Sequence, residues 1–266
     1  MDRDWAETYF GAKLLCDNVD VIQRTITRYG VWEPDVSRVI ERSLKPGDTF
    51  VDIGANIGYD ALLGAYCVGL TGRVVAIEPN PKTFTQLVAN LKANLLGCVV
   101  RSVPVAVSDR PGMVQLYELD GTNTGATTTN PYRMMWPNGD RSQAHTGVPV
   151  GAASALPLEQ ILTPEERQHT RLIKIDVEGA EGPIMWDLLD HLDQWRKDLE
   201  IVVEIDPDQA DWQALLFDYA EQGYHPYLID NDYTTARYQT WTEPTPLRRL
   251  QETPEEQCDL LLTRRM

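Results

Sequence analysis

The chain has 266 residues, 42% of them hydrophobic, enough for one large α/β domain with a full core or for a domain plus a small appendage. Its 40 acidic and 24 basic residues leave a formal net charge of −16, so neither a phosphate backbone nor an anionic membrane is expected as a partner. Four scattered cysteines (Cys16, Cys67, Cys98, Cys258), with no CxxC spacing and no histidine nearby, argue against a zinc site and a disulfide scaffold and fit free thiols in a reducing cytosol.

No apolar run reaches membrane-spanning length, and Met1-Asp2-Arg3-Asp4 is charged, so a cytoplasmic location is expected. Residues 1–45 read as a helical, peripheral segment, a lid or a docking face. Pro34 suits a first helical turn, and Val36, Val39, Ile40 and Leu44 line one side. Lys45-Pro46-Gly47-Asp48 turns the chain into a short strand at 49–53, where Phe50, Val51 and Ile53 are β-formers in a run too short for a helix. Asp52 ends that strand, and Gly54 allows a tight turn that a ligand can approach closely. A helix is expected from about 56 to 66, its N-terminus aiming unpaired N–H groups at the crevice above the sheet.

A second strand at 73–78 is stopped by Pro79-Asn80-Pro81, which open a helix to about 96. A third strand, 99–107, ends at Ser108-Asp109. This β-α-β-α-β spacing indicates a doubly wound parallel sheet. Residues 112–118 read as an extra strand. Residues 120–152, rich in Thr, Asn, Gly and Pro, read either as a substrate-side insertion or as a loose surface loop. Thr163-Pro164-Glu165-Glu166 starts a helix. Core strands follow at 172–176, 201–205 and 224–229. Helices are expected to about 192 and over 208–222. A polar excursion at 230–256 precedes a last strand at 258–263.

Asp52, Glu78, Asp109 and Asp176 all fall at or just after strand carboxyl ends, the edge where parallel sheets bind ligands. Glu78, 20 residues after Gly58, suits the two hydroxyls of a ribose. Asp52 holds the turn or pairs with a cationic ligand group. Ser108 and Asp109 either reach an adenine amino group or form a plain turn before Pro111-Gly112. Asp176 follows a strand otherwise fully buried. It must meet a ligand, a metal or a proton, or find local hydrogen bonds, and it is the leading candidate for a catalytic base. Glu178 and Glu181 fit a site or a solvated helix start equally well, and Lys174 shares the face of Asp176, as a crevice ion pair or a structural one. Among the four histidines, His145 alone sits where a substrate could lie, which makes it a second candidate base. The turn reads Gly54-x-x-x-Gly58, with Asn56 in place of the middle glycine of G-x-G-x-x-G, and no Walker lysine follows. That counts against an NAD-linked oxidoreductase and against ATP. It suits a cofactor with adenosine but no pyrophosphate, such as S-adenosylmethionine.

Four stretches together resemble the FkbM-type methyltransferases. They are Pro46-Gly47-Asp48-Thr49-Phe50-Val51-Asp52-Ile53-Gly54-Ala55-Asn56-Ile57-Gly58, Ala76-Ile77-Glu78-Pro79-Asn80, Ala106-Val107-Ser108-Asp109-Arg110-Pro111-Gly112 and Ile173-Lys174-Ile175-Asp176-Val177-Glu178-Gly179-Ala180-Glu181. The resemblance covers roughly residues 46–206 and implies a Rossmann-like class I methyltransferase fold over 46–266. Its sheet has seven strands, mostly parallel with the last antiparallel, and helices on both faces. It also implies methyl transfer from S-adenosylmethionine, leaving S-adenosylhomocysteine, most often to a hydroxyl oxygen of a sugar, polyketide or other secondary metabolite, free or carrier-bound. By the same resemblance Asp52, Gly54, Ala55, Asn56 and Gly58 lie beside the methionine part, and Glu78 with Pro79 and Asn80 hold the ribose. Ser108 and Asp109 flank the adenine, and Asp176 stands near the methyl and the acceptor. Two alternatives stay open. One is a catechol-type, metal-assisted enzyme in which Asp176, Glu204 and Asp206 bind Mg²⁺ or Ca²⁺. The other is a non-catalytic S-adenosylmethionine-binding protein. Acceptor choice is expected in residues 1–45 and the two irregular insertions, and a homodimer is left open.

Overall fold

The computed structural model describes residues 3–118, 127–129, 147–243 and 245–265. Its first 45 residues correct the all-helical expectation. β1 (Arg3–Glu7) and β2 (Lys13–Asp17) pair as an antiparallel hairpin before any helix forms. The signal was a period of two: Leu14 and Cys16 are buried while Lys13 is exposed, but five residues are too few for alternation to stand out. α1 (Val21–Tyr29) and α2 (Pro34–Ser43) follow. The Asp20 carboxylate caps α1 by accepting from Gln23 N at 2.9 Å, and Pro34 opens α2 as expected.

β3 (Thr49–Ile53) is buried along its whole length, as a central parallel strand must be. After it come α3 (Tyr59–Val68), β4 (Arg73–Ile77) and α4 (Pro81–Ala93). α3 begins three residues later than the expected Asn56, because Asn56 and Gly58 both adopt positive φ and keep the intervening loop open. The expected third strand is in fact two. β5 (Val100–Val103) joins the main sheet, whereas β6 (Ala106–Val107) leaves it. Pro104 lies between them and has no N–H to continue the ladder. β6 belongs to a second sheet with β7 (Gly112–Glu118), β8 (Thr127–Thr128) and β9 (Val148–Leu156), in the order β6-β9-β7-β8. Part of the expected insertion at 120–152 is therefore strand. The rest of it, with His145, lies outside the described residues.

α5 (Leu158–Ile161) and α6 (Pro164–His169) lead to β10 (Thr170–Ile175). α6 carries the capping box its sequence announces: Glu166 N donates to Thr163 Oγ1 at 3.1 Å and Thr163 N to Glu166 Oε2 at 2.9 Å. The chain finishes through α7 (Glu181–Asp190), β11 (Glu200–Ile205), α8 (Trp212–Glu221), β12 (His225–Ile229), α9 (Thr235–Gln239), β13 (Arg248–Arg249) and β14 (Cys258–Thr263).

The main sheet has the order β13-β12-β14-β11-β10-β3-β4-β5. β5, β4, β3, β10 and β11 run parallel, and β14 is antiparallel to both neighbours. The seven expected strands are present. The eighth, β13, is a two-residue addition at the edge. One core layer packs α2, α3 and α4 on the sheet through residues such as Ile40, Leu62 and Leu87, and the other packs α7 and α8 through Leu188, Leu215 and Tyr219. Each such fully buried aliphatic side chain contributes about 1.5–3 kcal/mol. Among the described residues no helix is long and apolar enough to cross a membrane.

Candidate active site

The carboxyl ends of β3, β4, β10, β11 and β12 open into a cleft of about 990 Å³. At its centre the chain leaves β3 in a turn tied to the neighbouring strand: Gly54 N and Ala55 N both donate to the Ile77 carbonyl at 3.0 Å. Gly54 has φ +85°, and a Cβ there would stand 1.7 Å from the Asp176 carbonyl oxygen. Gly58, at φ +95°, packs so closely on α4 that a Cβ would be 2.6 Å from Leu87 Cδ1. The two glycines thus let the turn press against the end of β10 and against α4, and Gly54, Ala55, Asn56 and Ile57 line the cleft while Gly58 does not.

Glu78 is fixed from both sides. Its Oε2 accepts from Asn56 N at 3.0 Å and its Oε1 from Asn80 N at 2.8 Å. Each oxygen keeps a second lone pair, which is the arrangement two ribose hydroxyls need. Burial pushes the Glu78 carboxyl up to about 7, and the two backbone donors hold it from rising further. Pro79 lines the cleft beside it. Asn80 works from behind: its Oδ1 caps α4 at Lys82 N, and its Nδ2 donates to Thr127 Oγ1 at 3.0 Å, which ties β8 to the rim.

The cation of the site is Lys174. Its ammonium lies 2.8 Å from Asp176 Oδ2 and 3.3 Å from Asp60 Oδ2, with only 5% of the side chain exposed. Burial opposes its charge, but Asp176, Asp60, Asp52 and Glu33 raise it well above the usual lysine range. Lys174 is thus both the structural and the crevice ion pair that its position in the strand allowed. Asp52 is its cross-strand partner in register, fully buried, and neither of its oxygens meets a hydrogen-bond donor among the described residues. Burial pushes Asp52 up to about 8, against the pull of Lys174. It stands under the turn and is not part of the cleft lining.

That shift fixes a sign. A carboxyl whose folded-state pKa is raised holds its proton in the fold while the unfolded chain releases it, so stability falls as pH rises from about 4 to about 8. Asp52→Asn in the ligand-free protein is therefore expected to gain about 1–3 kcal/mol over the parent at pH 8 and nothing at pH 4. Urea midpoints across that range check it. An equal effect at both ends would mean that Asp52 is ionised throughout.

Asp176 lines the cleft as expected, but the Lys174 ammonium holds one of its oxygens. Ser108 and Asp109 do not line it. The break at Pro104 diverts the chain into the second sheet, and there Ser108 Oγ donates to the Arg110 carbonyl while Asp109 stays half exposed near Arg110. The expected metal set is also altered. The Asp206 carboxylate is taken by a turn, accepting from Asp208 N at 3.1 Å and Gln209 Nε2 at 2.9 Å. Asp176 and Glu204 instead come together with Glu178, which reaches them through a left-handed backbone, φ +59°. The Lys174 ammonium at 2.8 Å on Asp176 Oδ2 already offsets part of the trio's charge, which weakens it as a site for a divalent ion.

The far wall of the cleft is built by parts of the chain that carried no motif. Val21, Trp32 and Glu33 come from the N-terminal segment, and Asn231, Tyr233 and Asp259 from beyond β12. The two groups are clamped together: Arg237 grips Asp35 as a fork, with Nη2 at 2.7 Å and Nε at 3.0 Å, and Tyr233 OH donates to Glu33 Oε1 at 2.9 Å.

Five parallel strands followed by an antiparallel pairing at β14, with a glycine turn after the first strand and a two-donor carboxylate after the second, define a Rossmann-like class I methyltransferase fold. The family model of the methyltransferase FkbM domain matches residues 52–226, and the chain belongs to that family. Protein-L-isoaspartate O-methyltransferase 1 of Arabidopsis thaliana is 30% identical over 92 residues, which span 34% of this chain and 40% of that protein's length. Among solved structures, M. jannaschii TYW2 in complex with AdoMet is 12% identical, with a TM-score of 0.49 over 98% of this chain and 84% of that one. A SAM-dependent O-methyltransferase from Thermotoga maritima is 14% identical, with a TM-score of 0.45 over 98% of this chain and 77% of that one.

Proposed function

We propose that the protein transfers the methyl group of S-adenosylmethionine to a hydroxyl oxygen of a small-molecule acceptor. The observation that carries this reading is Glu78, a buried carboxylate at a strand end with both oxygens aligned by backbone N–H groups and open to a diol. When bound, the cofactor supplies an activated methyl on a sulfonium leaving group. The protein's part is alignment and exclusion of water. The turn residues Gly54, Ala55, Asn56 and Ile57 line the cleft where the methionine end would lie, and the surrounding carboxylates favour a sulfonium. Asp176 Oδ2 is held by Lys174, which leaves Oδ1 to take the hydroxyl proton as the methyl moves. The family match favours this over the nicotinamide reading.

The test is isothermal titration with S-adenosylhomocysteine. Micromolar binding is expected, weakened about 100-fold by Glu78→Ala, the loss of two hydrogen bonds to a charged acceptor. Unchanged affinity in that variant would remove the ribose assignment. No binding to the parent protein would remove the methyltransferase reading. Asp176→Asn, with cofactor binding kept and turnover lost on an identified acceptor, supports its role as the base.

A further inference from the structure

Nine carboxylates line the cleft against one ammonium, Lys174, among the described residues. A cofactor with a single net positive charge does not balance them. Four of the nine have an evident task. Asp60 and Asp176 pair with Lys174, Glu78 is set for a diol, and Asp206 closes a turn. Glu33 and Asp259 have none, and both are 92% buried in the cleft wall, at 8% exposure. Each has one oxygen on a neutral donor: Glu33 Oε1 accepts from Tyr233 OH, and Asp259 Oδ2 accepts from Asn231 Nδ2. Neither second oxygen, Glu33 Oε2 or Asp259 Oδ1, meets a donor among the described residues, so both are left to the cleft.

Both carboxyls stand in an acidic, desolvated wall of the same cleft. Burial and then the charge of Asp259 push Glu33 well above the usual carboxylate range, and burial and then Asp176 push Asp259 up to about 7. A pair of desolvated like charges is a poor arrangement until a cation enters between them. The walls beside them are also suited to one. Trp32 and Tyr233 both line the cleft, with ring centroids 5.6 Å apart and planes tilted by 38°, and aromatic faces attract ammonium groups.

We propose that the acceptor is an amine as well as an alcohol, its protonated amino group held by Glu33 and Asp259 against Trp32 and Tyr233 while its hydroxyl faces the methyl. The proposal rests on the methyl-transfer reading above and names the substrate class of that same site. The amino group is a recognition handle, and the methylated atom is the oxygen.

The experiment is calorimetric titration of the protein, with and without saturating S-adenosylhomocysteine, using four probes: tyramine, glucosamine and the N-acetyl form of each. At least one amine is expected to bind tenfold or more tightly than its uncharged N-acetyl form. Glu33→Gln and Asp259→Asn are each expected to weaken that amine tenfold or more while S-adenosylhomocysteine affinity stays within twofold, which also shows that the variants are folded. If Glu33→Gln does not fold, Asp259→Asn and Tyr233→Leu carry the test. Equal affinity for the amines and their N-acetyl forms, no binding of either amine, or amine binding insensitive to both carboxylates would overturn the proposal. Titration with MgCl₂ alone separates the other source of positive charge. A Mg²⁺ site lost in the same two variants would assign these acids to a metal and overturn the amine. Failure of S-adenosylhomocysteine to bind the parent protein is a different result and strikes the methyl-transfer reading itself.

Discussion

Replacing Lys174 by methionine is expected to destabilise the protein by about 3–5 kcal/mol near neutral pH, the usual consequence of removing one partner from a buried ion pair. The ammonium is buried and in contact with Asp176 and Asp60, with Asp52 beside it in register. Methionine nearly matches the length of the stem, so packing is kept and the change isolates the charge. Three carboxylates would then share a low-dielectric region with no cation, and they would either take up protons or draw water into the core. For a chain of this size the melting temperature should fall by roughly 6–20 °C. The deficit should shrink as pH drops, because burial already raises Asp52 and Asp60 and they protonate readily once Lys174 is gone. Adding Asp60→Asn to Lys174→Met should restore part of the loss, and a double-mutant cycle measures how much. A cost below about 1 kcal/mol would show that the acids around Lys174 are neutral or well hydrated in the fold.

The second large effect is expected at Gly54. Gly54→Ala places a methyl group 1.7 Å from the Asp176 carbonyl oxygen, a backbone atom of the next strand over, in a conformation with φ +85°. The left-handed conformation alone costs an alanine about 1–2 kcal/mol. The overlap requires β3 and β10 to move apart, or the turn to rebuild and lose the Gly54 N and Ala55 N bonds to Ile77. A total of about 4 kcal/mol or more is expected, together with loss of measurable S-adenosylhomocysteine binding, since Asn56 N, the donor to Glu78, sits two residues on. Thermal melting and calorimetry on the same sample check both. An alanine variant that binds the cofactor normally would mean that the turn has a second conformation.

The central sheet could be read from the sequence because its strands are short, apolar on both faces and punctuated by Gly and Pro. Those local features determine where β3, β4, β10 and β11 lie. Glu78 and Asp176 were visible for the same reason, as acids at strand ends. What stayed hidden depends on partners distant in sequence. The β1–β2 hairpin depends on pairing across Gly11, and its side chains alternate over only five residues. Asp52 was visible at a strand end, but its lack of a donor among the described residues follows from how β10 sets Lys174 toward Asp60 and Asp176. Ser108 and Asp109 matched a motif, yet one proline upstream moves their stretch into another sheet. Glu33 and Asp259 belong to no motif, and only the folded chain brings an acid before α2 and one on the last strand to the same cavity.

The fork between Arg237 and Asp35 joins residues 202 positions apart, and Arg38 reaches across in the same way to the carbonyls of Trp241 and Thr242. This wall of the cleft is thus made of two pieces of chain that cannot vary independently. A residue exchanged on one piece changes the seat of the other. Grafting only the first 45 residues, or only the excursion after β12, from a relative with a different acceptor would separate halves fitted to one another and break a buried guanidinium–carboxylate pair. The two segments form a matched set, so the unit to transplant is both together, with the sheet between them left as it is.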